Sequence, residues 1–273
     1  MSYPYFFVDK NFITPDSVFI TGEDFNHLVK VLRARVGDTV EISDNETKRY
    51  NTILAGIKKD QAVLQINRTN KITKSPHRIS LFQCMLKKEA MEFAIQKTAE
   101  IGVDRIIPVL SARTVVNIGE KKIKDKICRW QQIALSASKQ CKRDFICEIA
   151  YPVEAAVIDA AGYNLFFLPV EDLYLDDKAA LAPELENTLQ SLKDIIKGLK
   201  DKETSGSFQD GPNPLSEIAY IVGPEGGFEK KEVLDLVRKG AISINFGTNI
   251  LRSETASVYF LSILDYLLKV SIA

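Results

Sequence analysis

Ile221-Val222-Gly223-Pro224-Glu225-Gly226-Gly227-Phe228 is an apolar run that breaks at glycine and opens into a charged, helix-forming stretch, Glu229 to Lys239. A second stretch of the same form follows it: Phe246-Gly247-Thr248-Asn249-Ile250-Leu251-Arg252-Ser253-Glu254-Thr255-Ala256. Each reads as a strand that ends in a glycine turn and passes into a helix. Open parallel α/β sheets place their ligand loops at such strand ends. Working outward, the pattern from Ile79 onward alternates candidate strands (Ile79 to Leu86, Arg105 to Leu110, Leu165 to Val170, Ile218 to Val222, Ile242 to Phe246) with candidate helices (Lys88 to Ile101, Lys121 to Cys141, Glu229 to Lys239, Thr255 to Val270). That alternation predicts a parallel α/β sheet.

Glycines at Gly223, Gly226 and Gly227 let a ligand approach the main chain, and the helix expected after them turns free amides toward the loop. A phosphate cradle is the weaker reading. The P-loop spacing with its Lys-Ser/Thr pair is absent, and so is a strand-Gly-x-Gly-x-x-Gly-helix fingerprint. An uncharged adenine held by main-chain groups suits the loop better, although the same five residues serve equally well as a plain tight turn. The second loop puts Ile250 and Leu251 where exposed apolar side chains cost free energy unless they line a pocket or an interface. Ser253 or Thr255 can cap the following helix, and Glu254 suits its positive end. Arg252 has no such local role; the alternative for it is a surface ion pair.

Residues 1 to about 72 predict a small, mostly β module. Short strands at Val40 to Ile42, Tyr50 to Leu54 and Ala62 to Ile66 are separated by turn residues, and one helix starts at a capping box formed by Thr21 to Asp24. The polar stretch Lys71 to Arg78 marks the boundary. In the last helix, Phe260, Ile263, Leu264, Leu267 and Leu268 form a stripe that must face a core or a partner subunit. The segment Thr204 to Pro214 is expected to be a mobile surface loop.

The chain has 273 residues, 45% of them apolar, and a formal net charge of zero. This is ample for two globular cores and argues against a uniformly basic surface. The distribution is uneven: Lys121 to Arg143 carries eight Lys/Arg against one acid, and Glu171 to Glu217 carries eleven acids against five lysines. Such a split allows a local phosphate-binding surface, or a merely solvated helix face. Cys84, Cys128, Cys141 and Cys147 show no Cys-x-x-Cys pairing, and His27 and His77 lie far apart, so neither a metal site nor a disulfide framework is expected. With no signal-like N-terminus and no apolar run of spanning length, a soluble cytoplasmic protein is expected.

The two loops resemble the S-adenosylmethionine loops of SPOUT-class RNA methyltransferases, and most specifically those of the RsmE family, which methylates N3 of a uridine in 16S ribosomal RNA. The resemblance extends to His27-Leu28-Val29-Lys30-Val31-Leu32-Arg33 and Gly37-Asp38, to Lys87 through Arg105 with Glu89, Lys97, Glu100 and Gly102-Val103, and to Arg129-Trp130 with Gln140 to Arg143. Matches thus run from about residue 20 to 260. Departures are Asn249 where an arginine is common, Phe246 for leucine, Glu229 for a Ser or Thr cap, and Cys141-Lys142 where Ser-Gly is frequent.

The resemblance implies a PUA-like β-barrel RNA-binding domain over residues 1–72 and a SPOUT methyltransferase domain over 73–273 whose C-terminal segment forms a trefoil knot. It implies S-adenosylmethionine as cofactor, no metal, a homodimer, and 16S rRNA of the small ribosomal subunit as partner, with uridine 1498 the expected target. Carried onto this sequence, it assigns Leu168, Val222, Gly223, Pro224, Gly226, Gly227, Phe246, Gly247, Ile250, Leu251 and Ala256 to the cofactor. It assigns Arg252 to catalysis, and Arg33, Arg35, Lys139, Gln140, Lys142 and Arg143 to RNA. Uridine N3 is an imide that must lose a proton to attack, so a cation beside it favours the anion; Arg252 is expected to do this or to hold the target phosphate. A same-fold methyltransferase acting on another nucleotide or ribose, and an inactive RNA-binding assembly factor, remain as alternatives.

Overall fold

The computed structural model describes residues 3–114, 120–170, 192–198, 216–244 and 249–270. The expected loop at Thr204 to Pro214 lies outside them. The chain divides into two compact units. Met1–Lys74 together with Leu135–Ile146 form the first, and Ser75–Ala134 with Cys147–Ala273 form the second.

The first unit holds β1 (Tyr5–Phe7), β2 (Ser17–Thr21), β3 (Thr39–Ser43), β4 (Lys48–Ile57) and β5 (Gln61–Lys71) in a five-stranded sheet of order β1-β3-β4-β5-β2. The long β4–β5 hairpin follows from alternating burial along Tyr50, Thr52 and Leu54 and a tight connection in which Lys58 N donates to Gln61 O at 2.9 Å. Register shifts at Asn51/Thr52 and Leu54/Gly56 bend it. Phe6, Val18, Ile20, Phe25, Leu28, Val40, Ile42, Leu54 and Leu64 fill the core.

The expected capping box does not form. Thr21 makes no side-chain bond to the helix α1 (Gly22–Asn26), which runs on as a π-helical turn, His27–Val31, and ends with Arg33 at φ 55°. The strands β1 and β2 were not expected either. Tyr5 and Phe6 are buried because β1 pairs in parallel with β3, a non-local pairing that a local sequence pattern does not reveal.

The second unit contains β6 (His77–Cys84), α2 (Lys88–Ile101), β7 (Arg105–Leu110), the start of α3 (Glu120–Gln140), β8 (Glu148–Ile149), β9 (Val153–Glu154), β10 (Leu165–Pro169), α4 (192–198), β11 (Ser216–Val222), α5 (Lys230–Arg238), β12 (Ile242–Ile244) and α6 (Ser253–Val270). Its seven strands run in the order β12-β10-β11-β6-β7-β8, with β9 also on β7, and every pairing is parallel. Alternation along the strands gives two buried faces. Phe82, Cys84, Phe166, Leu168, Ala219 and Ile221 pack with Phe228, Val233 and Leu236 at and beyond the start of α5. On the other face Phe260 of α6 stacks on Tyr220 and Phe167, with ring centroids 4.8 Å and 5.4 Å away.

The stripe on α6 is therefore core. Phe260, Leu264, Leu267 and Leu268 are buried within the chain, because a parallel sheet needs apolar cover on both faces. The exposed face of α6 instead carries Tyr259 and Tyr266.

Candidate functional site: two loops tied together at the sheet switch point

β6 and β11 lie side by side in mid-sheet, and the strand order reverses between them: the chain continues from β6 to β7 on one side and from β11 to β12 on the other. Gln83 and Val222 are their last registered pair. A crevice at the carboxyl ends of two such strands is the position where α/β sheets bind ligands. The first candidate loop leaves the end of β11, and the second reaches the same edge through Ser253 at the start of α6.

In the first loop Gly227 N donates to Pro224 O at 2.9 Å, closing a turn in which Gly227 sits at φ 67°, a left-handed conformation that favours glycine. A Cβ on Gly223 would stand 3.1 Å from the buried Phe228 ring, tighter than an ordinary contact, so the ring would have to give way. A Cβ on Gly226 would meet Arg113 at an ordinary 3.7 Å, so space within the chain does not require that glycine. Arg113 donates to Gly226 O at 3.0 Å, and Lys87 N donates to Glu225 Oε1 at 3.3 Å.

Glu229, a departure from the expected Ser or Thr, builds a full capping box with Glu232 at the start of α5. Glu232 also accepts from Ala112 N at 2.9 Å. Two carboxylates already answer the free amides and positive end of this helix, which disfavours a phosphate there and leaves the loop suited to a ligand without negative charge.

The second loop is tied to the first. Ser253 Oγ donates to Gly223 O at 2.5 Å and accepts from Gln83 Nε2 at 3.1 Å. The expected capping role of the Ser253 side chain is thus replaced by a contact between loops. Just before it, Ile250 is 69% exposed, Leu251 is half-buried, and Arg252 is exposed with no ion-pair partner among the described residues. Arg252 O accepts the first helical bond, from Ala256 N at 2.8 Å. A guanidinium unpaired among the described residues, beside the exposed Ile250, can meet a ligand.

Of the other cofactor assignments, Phe246 and Gly247 lie outside the described residues. The Leu168 side chain is fully buried in the apolar core, so a ligand could meet only its main chain. Val222 and Pro224 are also buried, at the root of the first loop. Gln83, Ser257 and Arg113 were missed. Gln83 had a readable signal, a lone amide inside the apolar run Ile79 to Leu86.

The RNA assignments divide within the first unit. Arg33 and Arg35 are exposed, without ion pairs among the described residues, beside exposed Val31, Leu32 and Val36. Gln140 is exposed as well. Lys139 and Lys142 each already hold a carboxylate within the first unit. Lys139 Nζ pairs with Asp24 Oδ1 at 2.6 Å, and Lys142 Nζ with Glu41 Oε2 at 2.5 Å. Arg143 O accepts from Tyr5 OH at 2.6 Å, and Arg49 pairs with Asp144 at 2.9 Å, so this segment is held against β1, β3 and β4. Among the described residues, no group of three or more His, Cys, Asp or Glu could hold a metal, and no helix is long and apolar enough to cross a membrane.

The class that this fold and site belong to is that of RNA methyltransferases with a PUA domain. Residues 73–265 match the family model of the RNA methyltransferase domain, and residues 20–67 that of the RNA methyltransferase PUA domain. The chain belongs to the ribosomal RNA small subunit methyltransferase E family. It is 30% identical to that enzyme of Aquifex aeolicus over 190 residues, 69% of each chain, and 29% identical to that of Bacillus subtilis over 248 residues, 90% of this chain and 89% of the relative. The same fold occurs in the crystal structure of ribosomal RNA small subunit methyltransferase E from Neisseria gonorrhoeae bound to S-adenosyl methionine, with a TM-score of 0.74 and 23% identity over 97% of this chain and 98% of that one.

Proposed function

We propose that this chain methylates N3 of a uridine in 16S rRNA, with uridine 1498 the expected target and S-adenosylmethionine the donor. The observation that carries the reading is the pair of loops joined through Ser253 and Gly223 at the sheet switch point, with an unpaired Arg252 at their edge. The site fits this donor. Gly226 leaves room for close approach, Ile250 and Leu251 offer apolar surface for an adenine, and the carboxylates at α5 suit a cationic ligand better than a phosphate.

The donor supplies a methyl group already activated on a sulfonium, so the protein mainly aligns the reactants and excludes water. The main chain of Gly223 to Gly227 orients the cofactor, and Ile250 and Leu251 shield it. Arg252 stabilises the uridine anion formed when N3 loses its proton. Arg33 and Arg35, with their exposed apolar neighbours, contact the RNA.

The family resemblance supports a trefoil knot in the C-terminal segment and a homodimer. The exposed Tyr259 and Tyr266 of α6, with Phe93 of α2, are our candidates for the dimer surface.

The deciding experiment is mass spectrometry of 16S rRNA from a strain lacking this protein. Loss of 3-methyluridine at one position, restored by the wild-type gene, is expected; unchanged 3-methyluridine would refute the proposal.

A further inference from the structure

Gln83 is a fully buried amide at the carboxyl end of β6, between the buried Phe82 and Cys84. Its Nε2 donates to Cys84 O at 3.0 Å and to Ser253 Oγ at 3.1 Å, and its Oε1 accepts from Ser257 Oγ at 2.5 Å. Ser253 Oγ in turn donates to Gly223 O at 2.5 Å. One donor path thus runs from Ser257 through Gln83 and Ser253 to the carbonyl of Gly223, with side branches from Gln83 to Cys84 O and from Ser257 Oγ to Ser253 O at 3.0 Å, and bonds in such a chain polarise one another. Separately, Tyr220 OH donates to the main-chain Ser257 O at 3.0 Å and holds this turn of α6.

Docking of α6 does not explain this relay. Phe260, Leu261, Leu264, Leu267 and Leu268 already bury that helix, with Phe260 stacked on Tyr220 and Phe167. Buried polar groups are costly to desolvate, and an apolar contact of the same shape stabilises a helix at least as well. What the relay adds is placement. Its terminal acceptor is the first residue of one loop, and Ser253 is joined by a single peptide bond to Arg252 in the other.

We infer that Ser253, held by Gln83, is a positioning residue: it fixes the Gly223 carbonyl in the cofactor loop and aims Arg252 at the acceptor base. This inference rests on the methyl-transfer function proposed above. Both consequences come from one hydroxyl, so cofactor affinity and transfer rate are coupled through it.

The test is a double-mutant cycle between Ser253→Ala and Arg252→Lys, read by single-turnover methyl transfer with bound RNA and by calorimetric binding of S-adenosylhomocysteine. In the wild-type background Ser253→Ala is expected to lower both the rate and the affinity, each on the order of tenfold, the scale of removing one buried hydrogen bond. In the Arg252→Lys background the same change should lower the rate less than about twofold, because its route through Arg252 is already gone. Ser253→Thr, which keeps the hydroxyl, should restore the rate. A residue that only stabilises the fold would lower the melting temperature and give additive rate losses, and additivity overturns the inference. Should Ser253→Ala fail to fold, Gln83→Met enters the same cycle; it removes the amide yet leaves each serine one bond, to Gly223 O and Ser253 O respectively. A wild-type chain that neither binds the cofactor nor methylates rRNA refutes the proposed function itself, whereas an active wild type with an additive cycle refutes only the relay.

Discussion

The ammonium of Lys139 lies 2.6 Å from the Asp24 carboxylate and 5.5 Å from the centre of the Phe6 ring, so the cation at the end of α3 is already neutralised inside its own unit. Lys142 and Glu41 repeat the arrangement. Lys139→Ala and Lys142→Ala are each expected to lower the stability of the first unit by about 1 kcal/mol while leaving the salt dependence of RNA binding unchanged. Arg33→Ala and Arg35→Ala should flatten that dependence by roughly one unit for each phosphate that is no longer neutralised. Denaturant unfolding and filter binding over a salt series measure both; a flattened slope in the lysine variants would return the basic run to the RNA surface.

Arg252→Lys keeps the charge and removes the planar fork that bridges two oxygens. Transfer in a single turnover should fall roughly a hundredfold, the scale of one preorganised donor, with cofactor affinity nearly unchanged. An equal drop in cofactor affinity would assign Arg252 to the cofactor's carboxylate instead.

Gly223 and Gly226 should behave differently. Gly223→Ala forces its Cβ against the Phe228 ring at 3.1 Å and should lower the melting temperature, whereas Gly226→Ala finds ordinary contact with Arg113 at 3.7 Å and should fold normally. On the proposed function, Gly226→Ala is nonetheless expected to weaken S-adenosylhomocysteine binding about tenfold, because a Cβ would stand where the ligand approaches the main chain. Calorimetry, with and without a chelator, checks this and the expected lack of a metal requirement; unchanged affinity would move the site away from this loop.

Asp44 gives a pH test of the first unit. Burial raises its pKa, but the amides of Lys48, Thr47 and Glu46 donate to its carboxylate and hold the net value below the ordinary aspartate range. A depressed carboxylate contributes stability above its unfolded pKa of about 3.9 and loses it as pH falls through the folded value. Unfolding curves from pH 7 to pH 2 should show this loss in the wild type and a smaller one in Asp44→Asn, which should also be about 1 kcal/mol less stable at pH 7.

The second unit was the more legible part because its signals are local. The ranges Lys88 to Ile101 and Arg105 to Leu110 read from periodicity are the observed bounds of α2 and β7. β1 was missed because three residues that pair in parallel with a strand over thirty positions away carry no periodicity. The stripe on α6 was legible as apolar, but whether it met a core or a partner depended on the sheet beneath it. At the site, glycine and Arg252 stood out by residue type. Gln83 stood out only as a lone amide in an apolar run and Ser253 only as a helix cap, because their pairing is a contact across 170 positions of chain. The charge run Lys121 to Arg143 hides its pairings for the same reason: Asp24 and Glu41, which pair with Lys139 and Lys142, stand 115 and 101 positions away.

The inclusion of Leu135–Ile146 in the first unit has a consequence for how the chain is born. During synthesis from the N-terminus, the sheet of β1 to β5 has all its strands once Lys71 emerges, yet Asp24, Glu41 and Tyr5 wait for partners that arrive only with Lys139, Lys142 and Arg143. The nascent domain therefore lacks these partners until roughly half the protein has been made, and a gene cut after Lys74 encodes a fragment with two uncompensated half-buried carboxylates.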